Sequence, residues 1–206
     1  GVQSAAASEL AHSEEELRMI VASSHESGVL DKYERELLDN VFDFSEHTVH
    51  EVMVPRTVMA CLFTDHSFED NMRVVRETMH TRYPLVQGDK DHVIGMIHLK
   101  DLYLALQEHP GTAPDLVALR RDILAVPETL SISLLLGLFR KRHVHMAVAV
   151  DEYGGTSGLI TLEDLLEEIV GEIEDEFDTD EEEDTVIADG DSAWRVDGAL
   201  PLRDLT

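Results

Sequence analysis

An internal repeat constrains this chain more than any other feature of its sequence. Residues 95–102 read GMIHLKDL and residues 158–165 read GLITLEDL, so five of eight positions are identical at an offset of 63. Pro84 and Met146 lie 62 apart, which predicts one inserted residue in the second turn. A period of about 60 residues is too long for the common solenoid repeats. The repeat therefore predicts two small αβ units that form one pseudo-symmetric module.

Both copies show the same order of predicted elements, which is strand, helix, strand, turn, strand and helix. In the first copy we expect strands at 58–63, 83–87 and 93–99, with a helix that Ser67 caps and a second helix from Asp101. The first helix would bury Phe68, Met72, Val75 and Met79. In the second copy we expect strands at 123–126, 146–150 and 158–161, with helices at 131–141 and from Thr161. The pattern indicates an α+β fold of tandem βαββα repeats.

The segments outside the repeat differ in composition. Ser13 and Thr48 each begin a capping-box pattern, so two or three short helices are expected before the repeat. Ten of the thirteen residues 172–184 are acidic, which is typical of a solvated linker. From residue 186 the pattern is globular again, with a Gly-Asp turn and an aromatic strand, which suggests the start of a further domain.

The charge of the chain limits its partners. With 43 acidic and 16 basic residues the net charge is -27, which argues against a nucleic-acid partner, because phosphate contacts need Lys and Arg. The acidity serves either solubility or a divalent cation in the working state. Cys61 is the single cysteine and lies in the apolar run VMACLF, so a buried thiol is expected and a disulfide within the chain is excluded. No apolar stretch approaches the roughly 18 residues of a membrane span.

Thr161 and Asp164 are the strongest candidates for polar chemistry. A carboxylate in the first helical turn is favoured by the helix dipole. Its two oxygens can accept hydrogen bonds from two vicinal hydroxyls, as in a ribose. The helix start also offers free N–H groups to an anion. Judged from these residues alone, two interpretations stay open: Thr161 and Asp164 bind a ligand, or they merely cap the helix.

The repeat resembles the CBS domain, which occurs in pairs. More specific segments are residues 52–57 (VMVPRT), 81–86 (TRYPLV), 151–164 (DEYGGTSGLITLED) and 168–173 (EIVGEI). Together these are similar to the CorC/HlyC (CNNM-type) magnesium and cobalt transport family. The resemblance implies a helical connector at 1–47 after an absent membrane domain, CBS repeats at 48–109 and 115–175, and, at 176–206, an acidic linker with the start of a truncated transporter-associated domain.

The resemblance also implies an adenine-nucleotide site. Thr161 and Asp164 match the phosphate- and ribose-contacting positions of CBS adenosine sites. In the first copy Asp101 is present but His98 replaces the threonine, so this half is expected to be weaker or empty. The complete set of residues that we expect to contact the nucleotide is Arg56, Arg82, Tyr83, Pro84, Asp101, Thr161, Glu163 and Asp164.

The local charge makes ATP with Mg²⁺ the expected ligand, with ADP or AMP as alternatives. Residues 143–194 contain 18 acids and no Lys or Arg, so a triphosphate near Thr161 lacks a local cation. Arg56 or Arg82 can supply one from the first repeat. Alternatively, Mg²⁺ can bridge the phosphates to an acid such as Glu163, as this ion usually does.

Three functions are compatible with these features. We expect a homodimeric regulatory module at the cytoplasmic face of the membrane, which couples nucleotide to a Mg²⁺ or Co²⁺ transporter and binds no nucleic acid. The alternatives are a structural dimerisation domain with a vestigial site and, less favoured, a Mg²⁺-dependent nucleotide hydrolase. No nucleophile with an adjacent base is visible, so no enzyme is predicted. His143 with His145 on one strand, and His47 with His50, are weaker candidates for metal binding.

Overall fold

The computed structural model describes residues 13–171 and, separately, the backbone of residues 187–188 and 194–195. The predicted acidic linker and most of the predicted C-terminal segment lie outside the described residues. The elements of the main unit are α1 (Glu14–Glu26), α2 (Lys32–Phe44), α3 (Val49–Val52), β1 (Val54–Pro55), β2 (Leu62–Phe63), α4 (Phe68–Thr78), β3 (Arg82–Val86), β4 (Val93–His98), α5 (Leu99–Glu108), α6 (Leu116–Leu119), β5 (Leu124–Pro127), α7 (Ile132–Arg142), β6 (Met146–Val150), β7 (Thr156–Thr161) and α8 (Leu162–Val170).

The predicted repeat is present as two small mixed sheets. The first repeat forms the sheet β2-β3-β4, in which β2 is parallel and β4 antiparallel to β3. The second repeat forms β5, β6 and β7 with the same relative directions, and β1 adds to its edge to give the order β1-β7-β6-β5. The α+β fold with tandem repeats is therefore confirmed.

Each repeat sends a short segment across to the sheet of the other, as strand β1 in one case and as a single bridging residue in the other. Val54 of β1 pairs with Leu159 of β7, and Arg121, which precedes β5, pairs with Met96 of β4. Met96 and Arg121 exchange two backbone hydrogen bonds of 2.9 Å. Leu159 and Met96 are equivalent at the offset of 63, so Val54 and Arg121 occupy equivalent positions in the pseudo-two-fold module.

The register of the strands corrects the predicted alignment of the copies. Pro84 lies opposite Met96, and Val148 lies opposite Leu159, so Pro84 is equivalent to Val148 rather than to Met146. The offset in this strand is 64 instead of 62. The second turn is therefore one residue shorter than the first, whereas the sequence predicted an insertion. Both β hairpins have a register shift next to this turn.

Two local predictions in the first repeat are wrong. The predicted strand at 58–63 forms only at Leu62–Phe63, because the N–H groups of Val58 and Met59 close a turn onto the carbonyl of Pro55. Met79 does not lie on the buried face of α4. It follows the helix with a φ of 51° and is 73% exposed.

Three apolar clusters hold the module together. One fills the first repeat around Leu62, Tyr83 and Leu102, and one fills the second repeat around Ile132, Phe139 and Leu165. The third joins the two repeats and contains Met59, Cys61, Val86, Met96, Met146, Val148 and Leu159. Cys61 is 2% exposed, as expected, and burial raises the pKa of its thiol to about 11.

The N-terminal helices form as the capping patterns predict. Ser13, Asp31 and Thr48 each begin a helix with a reciprocal capping box. α1 packs on α2, and α2 packs on α8 of the second repeat. Within the part of the chain that the structure describes, no helix combines the length and apolar character that a membrane crossing needs.

The second unit is described only as a strand pair. β8 (Ile187–Ala188) and β9 (Trp194–Arg195) are antiparallel, with Ile187 opposite Arg195. The predicted aromatic strand is thus present at Trp194.

Candidate functional site

A cavity of about 420 Å³ lies where the two repeats meet, within the roughly 300–1,000 Å³ of small-ligand pockets. Both repeats contribute to it. The first repeat supplies β1 with the residues that follow it, and the connection from α4 to the start of β3; the second supplies the start of β6, β7 and the start of α8. The lining residues are Val54, Val58, Met59, Ala60, Met79, His80, Thr81, Arg82, His145, Met146, Leu159, Thr161, Glu163 and Asp164.

Thr161 and Asp164 cap α8 and also line the cavity. Asp164 Oδ2 accepts the backbone N–H of Thr161 at 2.7 Å, and Thr161 Oγ1 accepts that of Asp164 at 3.3 Å. No partner for Asp164 Oδ1 is found among residues 13–171. The capping interpretation is therefore correct for one carboxylate oxygen, while the other oxygen remains available to a ligand hydroxyl.

Arg82 is the cation that the first repeat brings to the site. Its Nη1 lies 3.9 Å from Glu163 Oε1, and its Nη2 lies 3.3 Å from His145 Nδ1. Arg82 begins β3, and its side chain is 22% exposed, whereas that of Glu163 is 67% exposed. Of the two arginines that the sequence offered, the structure brings Arg82 to the cavity. The guanidinium of Arg82 and the carboxylate of Glu163 form the charged end of the cavity.

The rest of the cavity wall is mostly apolar. Val54, Met59, Met146 and Leu159 form it, and Val58 and Met79 lie exposed beside it. Val54, Val58 and Met59 reach the cavity because β1 pairs with β7 of the other repeat. Local sequence patterns do not reveal this pairing. An apolar wall beside a few polar groups is the usual composition of a small-ligand site.

In the equivalent half of the first repeat the carboxylate takes part in an ion pair, whose Arg121 side chain is 58% exposed. We call His98, Lys100 and Asp101 the first half-site, and Thr161, Glu163 and Asp164 the second half-site. Arg121 donates to both oxygens of Asp101, from Nε at 2.7 Å and from Nη2 at 2.8 Å. His98 Nδ1 accepts the N–H of Lys100 at 3.1 Å. Partial burial, followed by the charge of Arg82, lowers the pKa of His98.

Three further predicted contact residues do not line the cavity. Tyr83 is fully buried in the first-repeat cluster, where its hydroxyl contacts Thr78 and accepts the N–H of His80 at 2.8 Å. Pro84 is buried in β3. Arg56 pairs with Asp91 at the turn between β3 and β4. Burial in strand β3 and this competing ion pair explain why the three residues are away from the site.

The structure also changes the interpretation of the histidines. His143 and His145 precede β6, which begins at Met146, so the predicted placement of both on one strand is wrong. His47 and His50 contact different partners, Glu168 at 3.0 Å and Glu128 at 3.4 Å. Over residues 13–171 no three His, Cys, Asp or Glu side chains cluster as metal ligands do. Any Mg²⁺ at Glu163 would therefore need oxygen ligands from elsewhere, such as phosphates.

The family comparisons agree with the repeat. A profile described as "CBS domain" matches residues 49–108 and 115–171. A curated relative, UPF0053 protein YrkA of Bacillus subtilis, is 41% identical over 88% of this chain and 42% of its own length. The magnesium and cobalt efflux protein CorC of Escherichia coli is 36% identical over 86% of this chain and 62% of its own. The chain thus spans about half the length of these relatives.

Solved structures give the same result. The CBS domain of a bacterial CNNM/CorC family Mg²⁺ transporter is 38% identical with a TM-score of 0.72, covering 80% of this chain and 100% of that one. The ATP complex of such a domain is 37% identical with a TM-score of 0.61, covering 68% and 99%. A CBS-domain pair with bound AMP from Klebsiella pneumoniae is 30% identical with a TM-score of 0.55, covering 60% and 98%.

Proposed function

This chain belongs to the CBS-domain family and is a CBS pair of the CorC/CNNM Mg²⁺ transporter type, and on that premise we propose that it regulates such a transporter by binding adenine nucleotide. The transported ion is Mg²⁺ or Co²⁺, and the module lies at the cytoplasmic face of the membrane. Its proposed domains are the connector 1–47, the repeats 48–109 and 115–175, and the linker with a further domain from 176.

One observation carries the proposal: a carboxylate oxygen that has no partner among residues 13–171 lies in a largely apolar cavity that also contains an arginine. Asp164 Oδ1 can accept from the ribose hydroxyls, and the apolar wall suits the flat base. The phosphates then extend past Thr161 toward Arg82. The CBS domain of a CNNM/CorC family transporter in complex with ATP, and a CBS-domain pair with bound AMP, support an adenine nucleotide as the ligand class.

The charge balance of the cavity favours a nucleotide that carries Mg²⁺. Arg82 offers one positive charge against the two carboxylates of Glu163 and Asp164, so the lining is net negative before a triphosphate enters. Mg²⁺ is usually held by one or two carboxylates together with substrate phosphates. We propose that Glu163, which is largely exposed beside Arg82, completes the ion's ligands with the phosphate oxygens.

The site is linked to the connector through α8. The N-terminal turn of α8 contains Asp164, and near its C-terminus Glu168 contacts His47 and the carbonyl of Ile169 accepts from Asn40 Nδ2 at 3.2 Å. A nucleotide that shifts α8 therefore moves α2. The helices α1 and α2 expose Leu17, Met19, Ile20, Tyr33, Leu38 and Val41, which suit contact with the membrane domain.

Two other functions are separated by simple measurements. A structural dimerisation domain with a vestigial site predicts that ATP does not change the thermal stability. A hydrolase predicts phosphate release that Glu163→Gln abolishes. The regulatory module predicts stabilisation by ATP without turnover.

Calorimetric titration of the chain with ATP, with and without Mg²⁺, tests the proposal. We expect at least tenfold tighter binding with Mg²⁺, and loss of most of this difference in Glu163→Gln. Competition with ADP and with AMP measures how much the γ-phosphate and the β-phosphate contribute to the affinity. Equal affinity with and without Mg²⁺ would reject the ion bridge, and absence of binding would reject the function.

A further inference from the structure

The two half-sites differ at the position where a strand crosses from the other repeat. Val54 crosses beside Leu159, next to the second half-site, and lines its cavity. Arg121 crosses beside Met96, next to the first half-site, at the equivalent position. The pseudo-symmetry therefore places an arginine in one half-site where the other has a valine.

Arg121 uses both oxygens of the first carboxylate. Its Nε and Nη2 donate to Asp101 Oδ2 and Oδ1 at 2.7 and 2.8 Å, which is a bidentate pair. Asp164, in contrast, has one oxygen without a partner among the described residues. A ribose at Asp101 would have to displace this bidentate ion pair with two hydroxyl donors that carry no positive charge.

We propose that Arg121 occupies the first half-site as an internal ligand and thereby limits each chain to one nucleotide, held at Asp164. This inference rests on the proposed function and names the residue that sets its stoichiometry. A guanidinium that binds a carboxylate in fork geometry fills the same acceptor positions as two vicinal hydroxyls. The first half-site is thereby occupied by the chain itself.

An exchange of the two crossing residues tests the role of Arg121. Val54→Arg places a guanidinium beside Asp164, and we expect ATP binding to weaken at least tenfold. The double change Arg121→Val with His98→Thr gives the first half-site the crossing valine and the capping threonine of the second, and Lys100 remains at the position equivalent to Glu163. We expect its stoichiometry with Mg-ATP in calorimetry to rise from one to two nucleotides per chain.

Two controls assign the binding events. Adding Asp101→Asn to the double variant should return the stoichiometry to one, whereas adding Asp164→Asn should remove the original event. Circular dichroism verifies that each variant is folded. The Val54→Arg arm requires no new site to form, so it tests the inference even where the double variant is destabilised.

The outcomes distinguish this inference from the function on which it rests. If the unmodified chain binds no nucleotide, the proposed function is contradicted. If it binds one nucleotide and Val54→Arg binds as tightly, the inference alone is contradicted. The same holds if the folded double variant still binds only one, or if the unmodified chain already binds two.

Discussion

The glycine shared by the two copies lies where the strand of the other repeat crosses. A Cβ on Gly158 would lie 2.5 Å from the carbonyl oxygen of Val54, and one on Gly95 would lie 2.6 Å from that of Arg121. Neither position has a positive φ, so close approach of the backbone explains the glycine rather than conformational freedom. The glycine therefore occurs in both copies because, in each, a backbone segment of the other repeat passes too close for a side chain.

Gly158→Ala should therefore destabilise the module. The added methyl group meets backbone, which cannot move as a side-chain end does, and we expect a loss of about 1–3 kcal/mol in the free energy of unfolding. The matched control is Gly137→Ala in α7, where nothing lies within 4 Å of the added Cβ. The control should gain up to about 1 kcal/mol. Chemical denaturation measures both, and equal effects would contradict the crossing argument.

Asp164 shows what a single residue can reveal before the structure is available. The sequence predicts that Asp164 lies at the start of a helix, and it is compatible with two roles for the carboxylate, helix capping and ligand binding. Its two carboxylate oxygens allow both roles, because Oδ2 caps α8 and Oδ1 has no partner among residues 13–171. Sequence patterns identify the residue, but the use of each oxygen depends on three-dimensional placement.

At the scale of elements, α8 connects the cavity to the N-terminal helices. Its first turn carries Asp164, and its last turn contacts α2 through Asn40 and the following loop through His47. Because a helix moves approximately as a rigid unit, a displacement at one end reaches the other. The connector contacts α8 through the hydrogen bonds Asn40–Ile169 and His47–Glu168. A movement of α8 on ligand binding would reach the connector through these two contacts.

Removal of the His47 contact should weaken this link. In His47→Ala, Mg-ATP should still protect α8 from amide hydrogen exchange, but the protection of α2 should fall. His50→Ala is the matched control, because His50 forms a similar pair with Glu128 rather than with α8. Equal protection of α2 in both variants would show that the His47–Glu168 pair does not transmit binding.

Local patterns predicted the helices better than the strands. The caps at Ser13 and Ser67 are formed by neighbouring residues, so the sequence located them correctly. Strand β1 has only two residues and exists because β7 lies beside it. The short β2 and the shift of Pro84 likewise depend on pairing between distant segments.

The same distinction applies to the candidate site. Thr161, Glu163 and Asp164 lie close together in the sequence, and Arg82 was one of two arginines considered. Arg121 was missed, because its contact with Asp101 requires the crossing strand. Its only signal was an arginine at the start of the second copy. The family-like segment 81–86 predicts Tyr83 as a contact residue, but its side chain lies fully buried in the core of the first repeat.

At the scale of the whole molecule, the shared cluster makes the two repeats one unit. Further apolar side chains remain exposed on the outer helices, among them Tyr103 and Leu104 of α5, Leu134 of α7 and Leu166 of α8. We expect these faces to pair two copies into a homodimer. Light scattering after gel filtration should give twice the chain mass of 23.1 kDa at micromolar concentration. A single-chain mass would contradict this.

The central claim is that one nucleotide binds at Asp164 and none at Asp101. The most direct measurement is calorimetric titration of Mg-ATP into the unmodified chain, Asp164→Asn and Asp101→Asn. An asparagine can still cap α8 through its amide oxygen, but its NH2 group then replaces the other oxygen, so the change removes the acceptor that the ribose hydroxyls need. We expect at least tenfold weaker binding in Asp164→Asn and unchanged binding in Asp101→Asn. Equal losses in both variants, or a loss only in Asp101→Asn, would contradict it.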